Sequence, residues 1–300
     1  MSTPYAWHFH GITWAVLAAA WALVVGTHRR LSRRAGPAAD PWGPRRIASL
    51  AGATAVAAVA LTWPLADLAA HWSLTALVLQ RLLLVLAVAP LVLLGLPDDV
   101  LARATRPAVV DRVLEACRHP AVAVAVCTVV FVGSMLVPVV ALQSSSVVAR
   151  GLVDLAVLMA GVGLWVPVLG RVPGITRLRP AGRAAYLVAQ GVVPGFLSFI
   201  YIFARRPLYP GFDQAHRALG IQPVTDQQVA GFVSKLALLV TLLTVAAFVL
   251  LRAQREDEEL ADAEILAWAD VERHFERVDR RRGAPEDPTV GPDGGAEHLP

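Results

Sequence analysis

The sequence is poor in cysteine and in charged residues. It has two cysteines among 300 residues, Cys117 and Cys127, and neither belongs to a CxxC or CxC motif, so no disulfide framework is indicated. Asp, Glu, Lys and Arg make up only 17% of the chain, whereas hydrophobic residues make up 56%. A soluble domain of this size carries more charge and shorter apolar runs. The composition therefore indicates a polytopic membrane protein.

Lysine is also nearly absent, because Lys235 is the only one in the chain. The net charge of +4 thus comes from arginine. In a membrane protein an arginine excess reports the orientation of the loops, and it does not by itself indicate nucleic-acid binding. We expect no nucleic-acid partner.

Long apolar runs are what the sequence has in abundance. Runs of about 17 to 25 residues are long enough to cross a hydrocarbon core of ~30 Å as helices. Reading the chain for such runs predicts seven membrane spans, at 11–26, 47–63, 77–96, 121–142, 147–169, 184–203 and 229–251. The fold predicted is an all-α, polytopic bundle of seven transmembrane helices.

Arginine placement predicts the orientation of this bundle. The first, third and fifth loops together hold fourteen arginines, and the alternate loops, counted with Arg150 at the start of the fifth span, hold four. Because short cytoplasmic loops accumulate Lys and Arg, the N-terminus is predicted outside and the C-terminus in the cytoplasm. The first apolar run is not followed by a small-residue cleavage site, so no signal peptide is expected.

The character of the chain changes after the last span. Residues 252–282 are rich in charge, with apolar residues at helical spacing, which predicts a cytoplasmic amphipathic helix. Residues 283–300 are rich in Pro, Gly and acidic residues and are predicted to be disordered. The predicted domains are therefore 1–251, 252–282 and 283–300.

Four charged side chains lie inside predicted spans, Arg150 near the start of the fifth and three others farther in. Arg81, Asp154 and Lys235 all fall in the outer half of the bilayer on the predicted topology. Intramembrane charges usually pair with one another, because an isolated charge there is costly. We predict that Arg81 contacts Asp154, with Lys235 or Arg150 nearby. The alternative is that Arg81 and Lys235 extend outward to the lipid headgroups.

Histidine at the predicted outer face suggests a possible metal site. His8 and His10 form an HxH pair, and His71 lies at the same interface on the predicted topology. Imidazole suits copper and zinc, so these three residues are candidate ligands. The alternative is a structural or solvent-exposed role.

The segment before the last span contains a capping signal. Asp226, or its neighbour Thr225, is placed to cap the N-terminus of the seventh helix, where an acidic group is favoured. Gln227 and Gln228 could additionally hydrogen-bond to the charged cluster. Prolines at 90, 138, 167 and 194 fall inside spans and are expected to bend them.

Four patches carry a resemblance to a known family. They are WPLADLAAHWSL leading into LQRLLLVLAVAPLVLLGLP, then GVGLWVPVLGRVPG, then LYPGF, and finally TDQQVAGF. In these patches the chain resembles the CtaG family of cytochrome c oxidase assembly factors, the seven-span type associated with caa-type oxidases. The residues that carry the family pattern are Gln80, Pro90, Gly95, Trp165, Pro167, Asp226, Gln227 and Gly231.

The resemblance implies a role and a candidate cofactor. Members are thought to help deliver copper to the oxidase, and the family pattern has two HxxxH pairs. The matching positions here are Leu77 and Arg81 for the first pair, and Arg150 and Asp154 for the second. A built-in ion-pair network in place of a metal is one hypothesis for this departure.

The function predicted is an oxidase assembly factor or scaffold in the plasma membrane of a bacterium. Its expected partners are the lipid bilayer and oxidase subunits or other assembly factors. The alternatives are a transporter of a small ion or solute and a metal-free membrane scaffold. No HExxH or GxSxG motif is present, so no enzymatic activity is predicted.

Overall fold

The computed structural model describes residues 9–35, 42–106, 112, 119–172, 178–212 and 220–282. Within these ranges all regular secondary structure is helical, and there is no strand. The α-helices are α1 (Gly11–Ala35), α2 (Pro44–Leu61), α3 (Leu65–His71), α4 (Leu74–Leu83), α5 (Ala89–Gly95), α6 (Asp98–Ala104), α7 (Pro120–Ser134), α8 (Val137–Ser145), α9 (Val147–Leu169), α10 (Pro180–Phe203) and α11 (Pro223–Arg282). A π-helical segment, Leu84–Val88, joins α4 to α5, and a short 3₁₀ turn lies at Pro210–Phe212.

Five helical segments in the described ranges are long and apolar enough to cross a membrane. They are Pro44–His71, Leu74–Gly95, Val147–Leu169, Pro180–Phe203 and Pro223–Glu259. The bent pair α7 and α8 makes a sixth if it is counted as one span, and the apolar part of α1, Gly11–Thr27, is shorter. The described residues thus confirm an all-helical fold with about five candidate membrane spans, and seven spans and their orientation stay predictions.

The predicted fourth span, 121–142, is not a straight rod. Helix α7 ends at Ser134 and α8 begins at Val137, and their axes differ by 63°. Pro138 lies in the first turn of α8, where its missing N–H costs no helical hydrogen bond. Pro138 was expected to bend this span, and at this point the structure has a break between two helices. Because of this break, α8 runs in a new direction, and Gln143 near the end of α8 is buried in the bundle.

Glycines allow close helix contacts at two crossings. A Cβ atom added at Gly161 of α9 would lie 3.0 Å from the Cα of Val85. One added at Gly231 of α11 would lie 2.7 Å from the carbonyl oxygen of Ser198 on α10. Helices in membranes pack through small residues in this way, because apolar surface alone gives little preference for protein over lipid.

The chain divides into two compact units, Met1–Leu250 and Leu251–Pro300. The first contains the apolar helices. The described part of the second, residues 251–282, is helical and belongs to α11, with exposed side chains at Trp268, Val271 and Phe275. The predicted disordered tail, 283–300, lies outside the described residues.

Candidate functional site

Arg81 is the centre of a buried polar cluster. Its side chain, on α4, is fully buried, with 0% of its surface exposed. One terminal nitrogen, Nη1, donates to the carboxylate of Asp154 on α9, and the other, Nη2, donates to the Oε1 of Gln143 on α8. The predicted contact between Arg81 and Asp154 is present. One guanidinium therefore ties three helices together.

Gln143 is the second hub of this cluster. Its Nε2 donates to the carbonyl oxygens of Ser134 and Val139, so it bridges the break between α7 and α8. Its own main-chain carbonyl accepts from the Nε and Nη2 of Arg150, at 3.2 and 3.1 Å. Buried polar atoms are stable only when they are bonded. Gln143 accepts from both guanidinium groups and bridges the helix break at the same time.

Further charged and polar side chains extend from Gln143 to the start of α1. Arg150 is attracted by both Asp154 and Asp67 of α3. A carboxylate oxygen of Asp67 lies 3.3 Å from the Nε2 of His10, which immediately precedes α1. Asp154 forms an ion pair with Arg81, and Arg150 interacts with the two carboxylates only through longer-range attraction. Such mutual compensation is what makes buried charge tolerable in a low dielectric.

Gln80 lies beside the cluster on α4 and is buried. It lines a cavity of about 10 Å³ together with Gln143, Ser144 and Arg150. A cavity of that volume has room for about one water molecule. The cluster is therefore a packed interior feature, and the cavity is too small for a solute.

Lys235 does not join the cluster. Its Nζ lies 4.6 Å from the centre of the Phe199 ring, on the seam between α10 and α11. The predicted neighbour of the Arg81 and Asp154 pair is therefore Arg150, the other candidate. Lys235 occupies a separate environment.

The carboxylate of Asp226 caps a helix other than its own. It accepts from the Oγ of Ser73 and the amide of Leu74, each at 2.7 Å, and from the amide of Thr75 at 3.3 Å. These groups lie at the N-terminus of α4, where the amides have no helical acceptor and a negative charge is stabilising. Asp226 itself lies within the first turn of α11, which begins at Pro223. The sequence prediction assigned this cap to α11, and the structure corrects it to α4.

Gln227 likewise bonds elsewhere than predicted. Its Oε1 accepts from the amide of Leu208 at 2.9 Å, and it makes no contact with the charged cluster among the described residues. Leu208 begins the LYPGF segment. Gln227 therefore holds that segment against the start of α11.

Pro90 in the third predicted span and Trp165 in the fifth form a matched pair. The amide of Ala89 bonds the carbonyl of Leu84, five residues back, as in a π-helix. Continuing this pattern would bond residue 90 to Val85, but proline has no N–H to donate. The indole Nε1 of Trp165 donates to the Val85 carbonyl instead, at 2.8 Å. A side chain of α9 thus completes the backbone hydrogen bonding that Pro90 interrupts.

Replacing Trp165 with phenylalanine tests this pairing. The variant keeps most of the buried aromatic surface but leaves the Val85 carbonyl without its donor, so we expect a loss of about 1 to 3 kcal/mol in the free energy of unfolding. Unfolding by SDS in mild detergent measures it. Replacing Pro90 with alanine restores a backbone donor, so Trp165→Phe should cost less in that background. Equal costs in both backgrounds would contradict the pairing.

Other pattern residues shape the packing. A Cβ atom at Gly95 would lie 2.5 Å from the Cγ of Leu50, so that glycine lets α5 approach α2. Pro167 lies inside α9, and the hydroxyl of Tyr186 on α10 donates to the carbonyl of Leu164, one turn earlier, at 2.8 Å. These residues serve the contact of helices.

Comparison with known proteins decides the family. The family model of the cytochrome c oxidase caa3 assembly factor (Caa3_CtaG) matches residues 19–256. The chain belongs to this family. The resemblance found in the sequence is confirmed, and the match includes the polar cluster, the Asp226 cap and the Trp165 bond. No curated protein and no solved structure matches the chain.

The polar cluster of this caa3 assembly factor family member does not suit a copper or zinc ion. The four positions that match the family's histidine pairs hold a leucine, two arginines and Asp154, whose carboxylate already binds Arg81. Copper and zinc prefer imidazole or thiolate ligands, and two fixed cations would repel a third. Within the ranges described, no group of three or more His, Cys, Asp or Glu residues could hold a metal.

The three candidate histidine ligands are only partly described. His10 contacts Asp67, His71 ends α3, and His8 lies outside the described residues. A metal site made of His8, His10 and His71 thus stays a prediction. His71 lies on α3, the helix that holds Asp67, and His10 contacts Asp67 from just before α1.

Two groups of contacts were not found from the sequence of this family member. One is the set of bonds made by Gln143. An apolar run does not reveal the helix break that precedes this residue. The other is a hydroxyl pair, in which Tyr201 and Tyr209 lie 2.6 Å apart and Tyr209 donates to the carbonyl of Met135 at 2.5 Å. Burial raises the pKa of the Tyr209 hydroxyl above its usual range, so it stays protonated and able to donate.

Proposed function

We propose that this protein is a membrane-embedded assembly factor for a cytochrome c oxidase, and that it acts through protein contacts without a copper ion in its polar cluster. The family match supports the first part. The buried contact of Arg81 with Asp154 and Gln143 supports the second, because it fills with fixed charges the positions where the family pattern has imidazoles.

The proposed topology has seven spans. It adds the shorter apolar part of α1 and counts the bent pair of α7 and α8 as one span. The excess of arginine in alternate loops supports an external N-terminus and a cytoplasmic C-terminus in the plasma membrane of a bacterium. The polar cluster then lies in the outer half of the membrane, and residues 252–282 form a cytoplasmic helix.

Oxidase subunits or other assembly factors are the proposed partners. A transporter is less well supported, because the cavity beside the cluster measures only about 10 Å³. Arg81, through its bonds to Asp154 and Gln143, joins three helices and does not line a path for a solute. The proposed role of the cluster is to hold the helices in the arrangement that partners recognise.

Deleting the gene and recording reduced-minus-oxidised haem spectra of the membranes tests this function. We expect the oxidase haem signal to fall to background and to return when the wild-type chain is supplied. Asp154→Leu should fail to restore it. Leu155→Ala is the matched control, since Leu155 is adjacent, exposed and outside the cluster. A deletion strain with normal oxidase content would refute the proposal.

A further inference from the structure

Lys235 places an ammonium group deep within a span and away from the polar cluster. A Cβ atom added at Gly195 of α10 would lie 2.9 Å from its Nζ, so the amine rests against bare glycine backbone. Gly195 lies eight residues before the end of α10 at Phe203, which is about 12 Å along the helix. The amine is therefore well inside the helix end.

This position differs from that of a lysine that extends to the headgroups. Gly231, one turn earlier on α11, lies against Ser198 and Tyr201 of α10. Lys235 lies against Gly195 and Phe199, so its amine stays level with its own turn of the helix pair. The space above Gly195 accommodates it there.

The ammonium has an incomplete set of partners. The face of the Phe199 ring attracts it, at 4.6 Å from the ring centre. Within the part of the chain that the structure describes, no carboxylate forms an ion pair with it. Asp154 and Asp226 bind Arg81 and the start of α4 respectively. Charged groups in membranes usually meet a counter-charge or line a hydrated cavity.

The surface around Lys235 is apolar and exposed. Phe232, three residues before it on α11, is 62% exposed, and Phe196 on α10 is 63% exposed. Leu239, one turn further along α11, is also exposed. These exposed side chains, beside the ammonium, form an apolar surface that a further helix could contact. We call this surface the Lys235 seam.

We propose that the Lys235 seam docks a transmembrane helix of another membrane protein, one that carries an ionised Asp or Glu at the depth of Lys235. The carboxylate would accept from the ammonium, and apolar side chains of that helix would contact Phe196, Phe232 and Leu239. Charge complementarity selects this occupant over an entirely apolar helix. The proposal goes beyond the assembly function, because it specifies a docking surface and the chemistry of its partner.

A defined peptide tests the docking. The probe is a synthetic polyleucine transmembrane helix with one glutamate in its outer third, and a second peptide has glutamine at that position. Binding to the full-length protein is measured by energy transfer in vesicles of neutral phosphatidylcholine. We expect the glutamate peptide to bind roughly threefold to tenfold more tightly than the glutamine peptide.

Substitutions at position 235 assign the effect. Lys235→Met should abolish the preference for glutamate, and Lys235→Arg should keep it. Leu236→Met, at the next and exposed position, is the matched control and should keep it as well. Because Lys235 is the only lysine, reductive methylation with ¹³C labels one lysine side chain, whose NMR signal should shift only with the glutamate peptide.

Three outcomes would overturn the proposal. They are equal binding of the two peptides, a preference that survives Lys235→Met, and a preference that is lost when anionic lipid is added. The last would assign the ammonium to a lipid phosphate. A deletion strain with normal oxidase would refute the assembly function while leaving these peptide results unchanged, so the two proposals fail separately.

Discussion

Replacing Asp154 with leucine is expected to destabilise the folded protein by about 3 to 5 kcal/mol, because it leaves the guanidinium of Arg81 buried without its counter-charge. Arg81 cannot escape this cost, since its side chain is fully buried and a guanidinium stays protonated. The free energy of unfolding by SDS in mild detergent is the measurement.

A double variant separates the ion pair from simple loss of packing. Arg81→Met combined with Asp154→Leu removes both charges and keeps apolar volume, so we expect it to be more stable than Asp154→Leu alone. Leu155→Ala, on the same helix but exposed, should cost little. If Asp154→Leu were as stable as the wild type, the cluster would not hold these helices.

Replacing Asp226 with alanine is expected to cost about 2 to 3 kcal/mol, because the amides of Leu74 and Thr75 lose a charged acceptor at the start of a buried helix. The same SDS titration measures this loss. Asp226→Asn keeps one oxygen acceptor and should cost less. The substitution should weaken the packing of α4 against α11 as well as lower the free energy of unfolding.

Thr225→Ala is the control for the Asp226 cap. Thr225 is exposed and lies in the same turn of α11, so a cap of α11 by either residue would make the two substitutions similar in cost. The structure predicts that only the Asp226 substitution is costly. Comparable losses for both would return the cap to α11 and contradict the assignment to α4.

The apolar runs predicted an all-helical membrane protein because length and hydropathy decide whether a helix can span lipid. The energetic cost of buried charge was enough to predict that Arg81 and Asp154 meet, although they are 73 residues apart. Both inferences rest on large energetic effects that can be recognised from residue type and from the length of an apolar run. The arginine pattern of the loops predicts an orientation by the same kind of reasoning.

What the sequence did not reveal depends on tertiary contacts of ordinary-looking residues. Asp226 has the right type and place to cap its own helix, and only the packing of α11 beside α4 directs it to Leu74. Gln143 reaches Arg81 because the chain breaks before Pro138, and the angle of that break follows from packing. The bond from Trp165 to Val85 required knowing that Pro90 follows a π-helical turn.

We propose that the polar cluster is closed by its own ion pair and holds no copper. Titrating the purified protein with Cu(I) against a competing chelator tests this most directly, with the wild type compared to Arg81→Met/Asp154→Leu. We predict that the two proteins have the same copper stoichiometry, whatever the three candidate histidine ligands bind. One copper ion per chain that the double variant loses would contradict the claim.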